Sequence, residues 1–404
     1  MAALDKAIGY IKRMMVELKY KNNRRRTDWW LFGEWFGQRN GDNSLFLANY
    51  VCENYPDITV YWVSRENTNV EKLSNSIHIL KYDALETFEL FKRVGAVFMN
   101  QGYIDFSSSG YNYFRGAITV NLWHGVAWKK IGHDSSKKKG FAHFINTYLV
   151  DYFDGSKRYL STSNNYSSVL KTAFHAKDKQ IIKAGYPRNS LFYSKEWLTG
   201  NRKKILTILK DRTNAVISDK TKIVVYMPTF RDRTREGVSL ECLLSYQDFA
   251  NWLEDSDVVV IQKAHFVNQN ANGEPASNSS SSSNRIINLN NIESYEALGC
   301  ADILITDYSS CFFDYLILNR PIIHFIYDYD SYRNEDRGVY YEKDDVICGD
   351  APQSISSLID SIKKYTYNAA ADNSLRTKRK HEFMEYETYN SCELIVNCIL
   401  QSMV

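Results

Sequence analysis

The chain has 404 residues, 44% of them hydrophobic and 24% charged, an ordinary soluble composition at a length that allows two sizeable cores. A formal charge of +3 is too small to argue for nucleic acid, and seven scattered cysteines with no CxxC pair or Cys/His cluster support neither a disulfide framework nor a zinc site. That cysteine pattern fits a reducing cytoplasm. No apolar stretch is long enough to span a bilayer, and the first residues lack the apolar core of a signal peptide.

Residues 1–27 open with Leu4, Ile8, Ile11, Met15 and Leu18 at helical spacing, interleaved with Lys6, Lys12, Arg13, Lys19 and Lys21 and followed by Arg24, Arg25 and Arg26. Two readings stand side by side: an amphipathic anchor lying in an anionic membrane surface, or a helix packed on its own domain with a solvated basic face. Residues 28–195 then alternate short apolar runs with helical patterns. Strands are expected at Trp29–Phe32, Thr59–Val63, Ile77–Leu80, Ala96–Met99, Ile118–Leu122 and Tyr159–Ser161, with a helix from about Ser44 to Asn54 and a turn cluster at Gly185–Asn189. In residues 196–404 the alternation repeats, with strands at Ile223–Tyr226, Val258–Gln262, Ile286–Leu289, Ile303–Ile305 and Ile322–Phe325. The polar segment Asn268–Asn284 reads as a mobile surface loop, and the stretch Ser374–Met403 as helices that could pack back across the domain boundary. This is an α/β pattern of two doubly wound, mostly parallel sheets, and ligands of such sheets gather at the carboxyl ends of the strands.

Four motifs sit at those ends. Asn121-Leu122-Trp123-His124-Gly125 follows a strand; its imidazole could serve as a base near neutral pH, or be a loop histidine bonded to backbone. Pro228-Thr229-Phe230-Arg231-Asp232 offers a guanidinium fork for a phosphate, or a salt bridge of Arg231 with Asp232 or Glu236. Lys263-Ala264-His265 suits an anionic ligand. Thr306-Asp307-Tyr308-Ser309-Ser310 joins a buried strand to an apolar helix from Cys311 to Leu318, with Ser309 or Ser310 at the N-cap position; amide groups there suit a phosphate, although the same strand–turn–helix occurs in any α/β protein. No GxGxxG, Walker-type or GxSxG motif is present, which argues against dinucleotide, P-loop and serine-hydrolase chemistry.

Taken in order, these motifs resemble the CDP-glycerol glycerophosphotransferase family of teichoic acid primases and polymerases. The likeness spans roughly residues 28–345 and continues through Arg320-Pro321-Ile322-Ile323, Tyr332-Arg333 and Arg337-Gly338. The resemblance implies a GT-B-type fold, two Rossmann-like domains facing a cleft, with the acceptor on residues 28–195 and the CDP-polyol on residues 196–404. It implies His124, His265 and Arg231 as catalytic residues. Gly125, Lys263, Thr306, Asp307, Ser309, Ser310, Asp314 and Arg337 would contact substrate. Transfer would release CMP from CDP-glycerol. The partners implied are a lipid-linked or polymer acceptor and the inner face of the cell membrane, in teichoic acid, capsule or related polymer synthesis. No cofactor is expected beyond CDP-glycerol as substrate, no metal ligand set is assigned, and bound magnesium is left open. The alternatives are CDP-ribitol or a nucleotide sugar as donor on the same fold, and a non-catalytic assembly factor. Departures from the family pattern are Trp35 where a small residue is common, Val126-Ala127-Trp128 after the WHG box, Asn334, and the Ser-rich segment beyond His265.

Overall fold

The computed structural model describes residues 12–20, 24–135, 157–229, 238–263, 284–329 and 338–403. The expected loop at 268–284 lies outside them apart from its last residue, as do residues 1–11 of the basic N-terminus. The chain divides into two compact units: residues 1–124, 132–190 and 386–404 form the first, and residues 125–131 and 191–385 the second.

The first unit is built on β1 (Arg26–Phe32), β2 (Thr59–Ser64), β3 (His78–Lys81), β4 (Val94–Met99), β5 (Ile118–Asn121), β6 (Lys157–Ser161) and β7 (Ile181–Lys183). They pair in the order β3-β2-β1-β4-β5-β6-β7, every pair parallel. A central parallel strand is covered on both faces, so its sequence is apolar throughout rather than alternating, and all six residues of β4 are buried. Gly95 belongs in that strand because a Cβ there would stand 2.3 Å from the carbonyl oxygen of Arg26 on β1. Strand β7 has no counterpart among the sequence expectations. It is three residues long and lies at the sheet edge, too short for a periodicity to show.

The second unit carries β8 (Lys222–Met227), β9 (Val258–Gln262), β10 (Ile286–Asn288), β11 (Ile303–Thr306) and β12 (Ile322–His324), all parallel, in the order β10-β9-β8-β11-β12. Val224, Val260, Ile305 and Ile323 of these strands pack with Leu358 and Ile362 from the helix Ile355–Tyr367. The helix expected over Cys311–Leu318 is an α-helical turn, Cys311–Tyr315, that tightens to 3-10 geometry over Leu316–Leu318. Strand order reverses between β1 and β4 in the first sheet and between β8 and β11 in the second, the points where a doubly wound sheet opens a crevice at its carboxyl edge.

Candidate functional site

His124 follows β5, beside the reversal point of the first sheet. Asn121, the last residue of β5, accepts the Trp123 amide with its side-chain oxygen at 2.9 Å and starts a turn in which Trp123 takes φ +55°. A non-glycine residue is uncommon there, so the turn has to be held from outside. Asn43 Nδ2 donates to the Trp123 carbonyl at 2.9 Å, and Arg188 Nη2 donates to the His124 carbonyl at 3.2 Å. Arg188 is in turn paired with the buried Asp42 carboxylate, and its own amide donates to Asn43 Oδ1 at 3.3 Å. The clamp therefore joins the GDNS loop after β1 to the GYPRN turn after β7.

The imidazole is flanked by two indoles, Trp123 stacked at 4.6 Å between ring centres and Trp35 tilted at 5.5 Å. Gln101, just after β4, lies 3.2 Å from Nδ1. Burial lowers the imidazole's pKa to about 4; the Asp42 carboxylate pulls it upward and Arg188 pushes it down further. His124 is thus neutral at physiological pH, the state a general base requires. Burial alone would also push the Asp42 carboxyl up, but Arg188 first, then His124 and the Asn43 amide, hold it below the ordinary value. Glu34 is the opposite case. It is fully buried, and burial together with repulsion from Asp42 raises its pKa well above normal while it accepts the Gly41 and Asp42 amides.

The loop after β1 is strained. Trp35, Phe36 and Gly37 take successive φ values of +48°, +60° and +69°, and only the third is glycine. A left-handed L-residue costs roughly 1–2 kcal/mol. Two bonds hold the loop there: the Trp35 indole N–H to Asp42 Oδ2 at 3.0 Å and the Phe36 amide to the buried Asp105 carboxylate at 3.0 Å.

In the second unit, the carboxyl ends of β8, β9 and β11 bring Thr229, Lys263 and the turn Asp307–Ser310 to the reversal point. Asp307 ties that turn, its Oδ1 accepting the Thr229 amide at 2.7 Å, the Thr229 hydroxyl at 2.5 Å and the Tyr308 amide at 2.6 Å. The Thr306 hydroxyl donates to the Met227 carbonyl at 2.7 Å, locking β11 to β8. Ser309 Oγ accepts the Cys311 amide at 3.4 Å, whereas Ser310, the N-cap residue, makes no side-chain cap bond. Both serines are partly exposed, while Thr306, Asp307, Asp314 and Lys263 are buried. The segment after His124 also belongs to this unit. Trp128 is buried, its indole N–H donates to the Tyr341 carbonyl at 2.8 Å, and its ring packs on Tyr308 at 5.6 Å. Gly125 starts the segment at φ +147°, a value that only glycine adopts without cost.

Residues 15–401 match the family described as CDP-glycerol:poly(glycerophosphate) glycerophosphotransferase. The chain belongs to this family. Among its curated relatives, a teichoic acid glycerol-phosphate transferase of Staphylococcus aureus is 28% identical over 392 residues, 92% of either chain. A teichoic acid glycerol-phosphate primase of Bacillus subtilis is 26% identical over 319 residues, 78% of this chain and 74% of the relative. The solved structure of the wall teichoic acid polymerase TagF superimposes with a TM-score of 0.78 at 20% identity, covering 99% of this chain and 97% of that one. That likeness shows the fold, the GT-B-type class expected from the sequence.

Of the glycerophosphotransferase site residues expected from the sequence, His124 lies in the first unit, and Gly125, Lys263, Thr306, Asp307, Ser309, Ser310 and Asp314 lie in the second. Arg231, His265 and Arg337 fall outside the described residues. Sequence reasoning passed over Asp42, Asn43, Gln101 and Arg188, which hold the WHG turn. The signal available was that Gln101 and Arg188 closely follow the carboxyl ends of β4 and β7, and that Asp42 and Asn43 close the polar loop that leaves β1, in segments marked by Gly, Asn or Pro.

Proposed function

We propose that the protein transfers glycerol phosphate from CDP-glycerol to a hydroxyl of a lipid-linked acceptor in teichoic acid synthesis, with His124 as general base. The observation that carries this reading is the setting of His124: an imidazole kept neutral by burial, its turn clamped through backbone carbonyls by Asn43 and Arg188, on a chain of the glycerophosphotransferase family. His124 takes the acceptor hydroxyl's proton as the oxygen bonds to the phosphorus next to glycerol. The bond from that phosphorus to the bridging oxygen breaks, and CMP leaves with the electron pair.

In the same proposal Lys263, Ser309 and Ser310 hold the diphosphate together with Arg231 and His265, which enter through the family motifs alone. Thr306 and Asp307 act on it through the turn they tie, and Gly125, next to His124 in the chain, leaves room for a substrate to approach the imidazole. Asp314 and Arg337 bear on the polyol. Phosphoryl transfer is chiefly positioning and stabilisation of charge on oxygen, which such a cradle supplies. Losing one donor of the cradle should cost about 2.7–4 kcal/mol of transition-state stabilisation, by analogy with oxyanion-hole deletions. No described helix is long and apolar enough to cross a membrane. The proposed location is peripheral, on the inner membrane face where lipid-linked acceptors are made.

The test is CMP release from CDP-glycerol and a lipid-linked acceptor, with CDP-ribitol as the control donor. His124→Ala should abolish transfer and leave CDP-glycerol affinity, read by calorimetry, nearly intact. Release from CDP-ribitol alone, or equal loss of binding and transfer in His124→Ala, contradicts the assignment.

A further inference from the structure

The neutral ring of His124 carries one proton, and it can act as a base only through the nitrogen that lacks it. Gln101 bears on which nitrogen that is. Its side-chain amide stands 3.2 Å from His124 Nδ1 and makes no other bond among the described residues. The residue is held firmly from behind, just beyond the end of β4. The Asn100 and Gln101 amides both donate to Asp105 Oδ2, at 2.9 and 2.8 Å, while Asp105 Oδ1 accepts the Phe36 amide at 3.0 Å. Burial pushes the Asp105 carboxyl up to about 6 against the pull of those amides, so at neutral pH it is an ionised acceptor that ties the strand end.

A half-turn of the terminal amide exchanges its nitrogen for its oxygen in the same place, so the imidazole's chemistry decides which end faces it. With the nitrogen inward the amide donates and Nδ1 must be bare. Nε2, the nitrogen left to meet a substrate, then carries the proton and cannot take another. With the oxygen inward, Nδ1–H donates and Nε2 is bare. The backbone of Asn100, the preceding residue, raises the ring's pKa, as an acceptor of a ring proton does.

We propose that Gln101 is the positioning residue of the base: its side-chain oxygen accepts Nδ1–H of His124 and so leaves Nε2 bare to take the acceptor hydroxyl's proton. The proposal rests on the general-base reading above and goes beyond it by naming the reacting nitrogen and the residue that selects it. An acceptor on one ring nitrogen fixes the tautomer and the orientation of the other. An amide does so without adding charge, so the ring stays neutral. A carboxylate in its place would stabilise the imidazolium and move the base's pKa upward. The charged groups that already act on the ring are Asp42, which raises that pKa, and Arg188, which offsets it in part.

The experiment uses the full chain labelled with nitrogen-15 at histidine, because couplings between ring nitrogens and ring protons tell a protonated nitrogen from a bare one. The spectrum of His124→Asn identifies the signals that belong to this ring. CMP release and calorimetric titration with CDP-glycerol are followed alongside, in the wild type, Gln101→Leu and Gln101→Glu. The wild type should show His124 protonated at Nδ1. Gln101→Leu, which has no polar atom to offer, should move the proton toward Nε2 and lower kcat about 10- to 100-fold with CDP-glycerol affinity unchanged. Gln101→Glu should restore the Nδ1–H form and recover about tenfold or more of that loss, with the acid limb raised by about 1–3 pH units.

Three results overturn the proposal: a wild-type ring protonated at Nε2, an unchanged tautomer or kcat in Gln101→Leu, or a fall in donor affinity in Gln101→Leu as large as the fall in kcat, which would place Gln101 in donor binding. If the wild type releases no CMP, it is the transferase reading that fails, and the role of Gln101 is then decided by the nitrogen spectra alone.

Discussion

At the scale of single residues, His124 is governed by what covers it. Since burial is the largest influence on its pKa, set at about 4, and the base works only when neutral, kcat/KM should show no acid limb from His124 across the range where a free imidazole titrates. Removing the stacked indole in Trp123→Ala readmits water, so the acid limb should move up toward about pH 6.5. A wild-type limb already at the ordinary imidazole value would show that the ring is solvated during turnover. Arg188 offers a separate test. Arg188→Lys keeps a positive charge beside Asp42 but cannot bond that carboxylate and the His124 carbonyl with one planar fork. A drop of about 10- to 100-fold in kcat with CDP-glycerol affinity unchanged is expected from small misplacement of a base. A fall in donor affinity as large as the fall in kcat would place Arg188 in donor binding instead.

At the scale of elements, the apolar strands were legible because a buried parallel strand is written as an unbroken hydrophobic run. Val258–Gln262 is the expected strand residue for residue, and β1, β4 and β8 differ from expectation only at their ends. What escaped were contacts that no local pattern encodes, such as Arg188 reaching Asp42 across 146 positions. The helix over residues 12–19 was legible in its period but not in its orientation. Its buried side is mixed: Glu17 receives Arg13 at 2.7 Å and Arg115 at 3.0 Å, while Val16 and Tyr20 pack on the apolar core, Tyr20 edge-on against Tyr113 at 5.1 Å. Its apolar side faces outward, with Met14 53%, Met15 65% and Leu18 50% exposed. Over residues 12–20 the segment packs on its own domain, as one of the two sequence readings expected, and leaves Met14, Met15 and Leu18 in solvent. Replacing Met14, Met15 and Leu18 together with Asn should weaken flotation with anionic liposomes while leaving the melting temperature within a few degrees, since none of the three is buried. Undiminished flotation would remove this face from the anchor.

At the scale of the whole chain, the order of residues and the order of packing part company near the C-terminus. Helix Asn373–Phe383 belongs to the second unit, yet residues 386–404 are counted with the first, where helix Ser391–Gln401 packs. The stretch Ser374–Met403 shows its helices by period, but which unit each one joins depends on distant bonds: Arg376 to Asn319 for the first helix, and residues near Tyr186 for the segment that leads into the second. Glu387 is the principal tie. Its Oε1 accepts the Tyr186 amide at 2.8 Å and Asn189 Nδ2 at 2.9 Å, both in the GYPRN turn that also supplies Arg188 to the His124 clamp. Gly185 leaves room for it, because a Cβ there would stand 2.3 Å from Glu387 Oε2. Glu387→Ala strands two buried donors and should cost about 1–3 kcal/mol for each. The loss should be local to the first unit. Hydrogen exchange should therefore show β5, β6 and β7 losing protection while β8 to β12 keep theirs, and transfer should fall because the Arg188 turn loosens beside the base. Gly185→Ala should reproduce the pattern from the opposite side of the same contact. Equal loss of protection in both sheets would mean that the C-terminal segment stabilises the two units as one cooperative body, and the separate role of Glu387 would be lost.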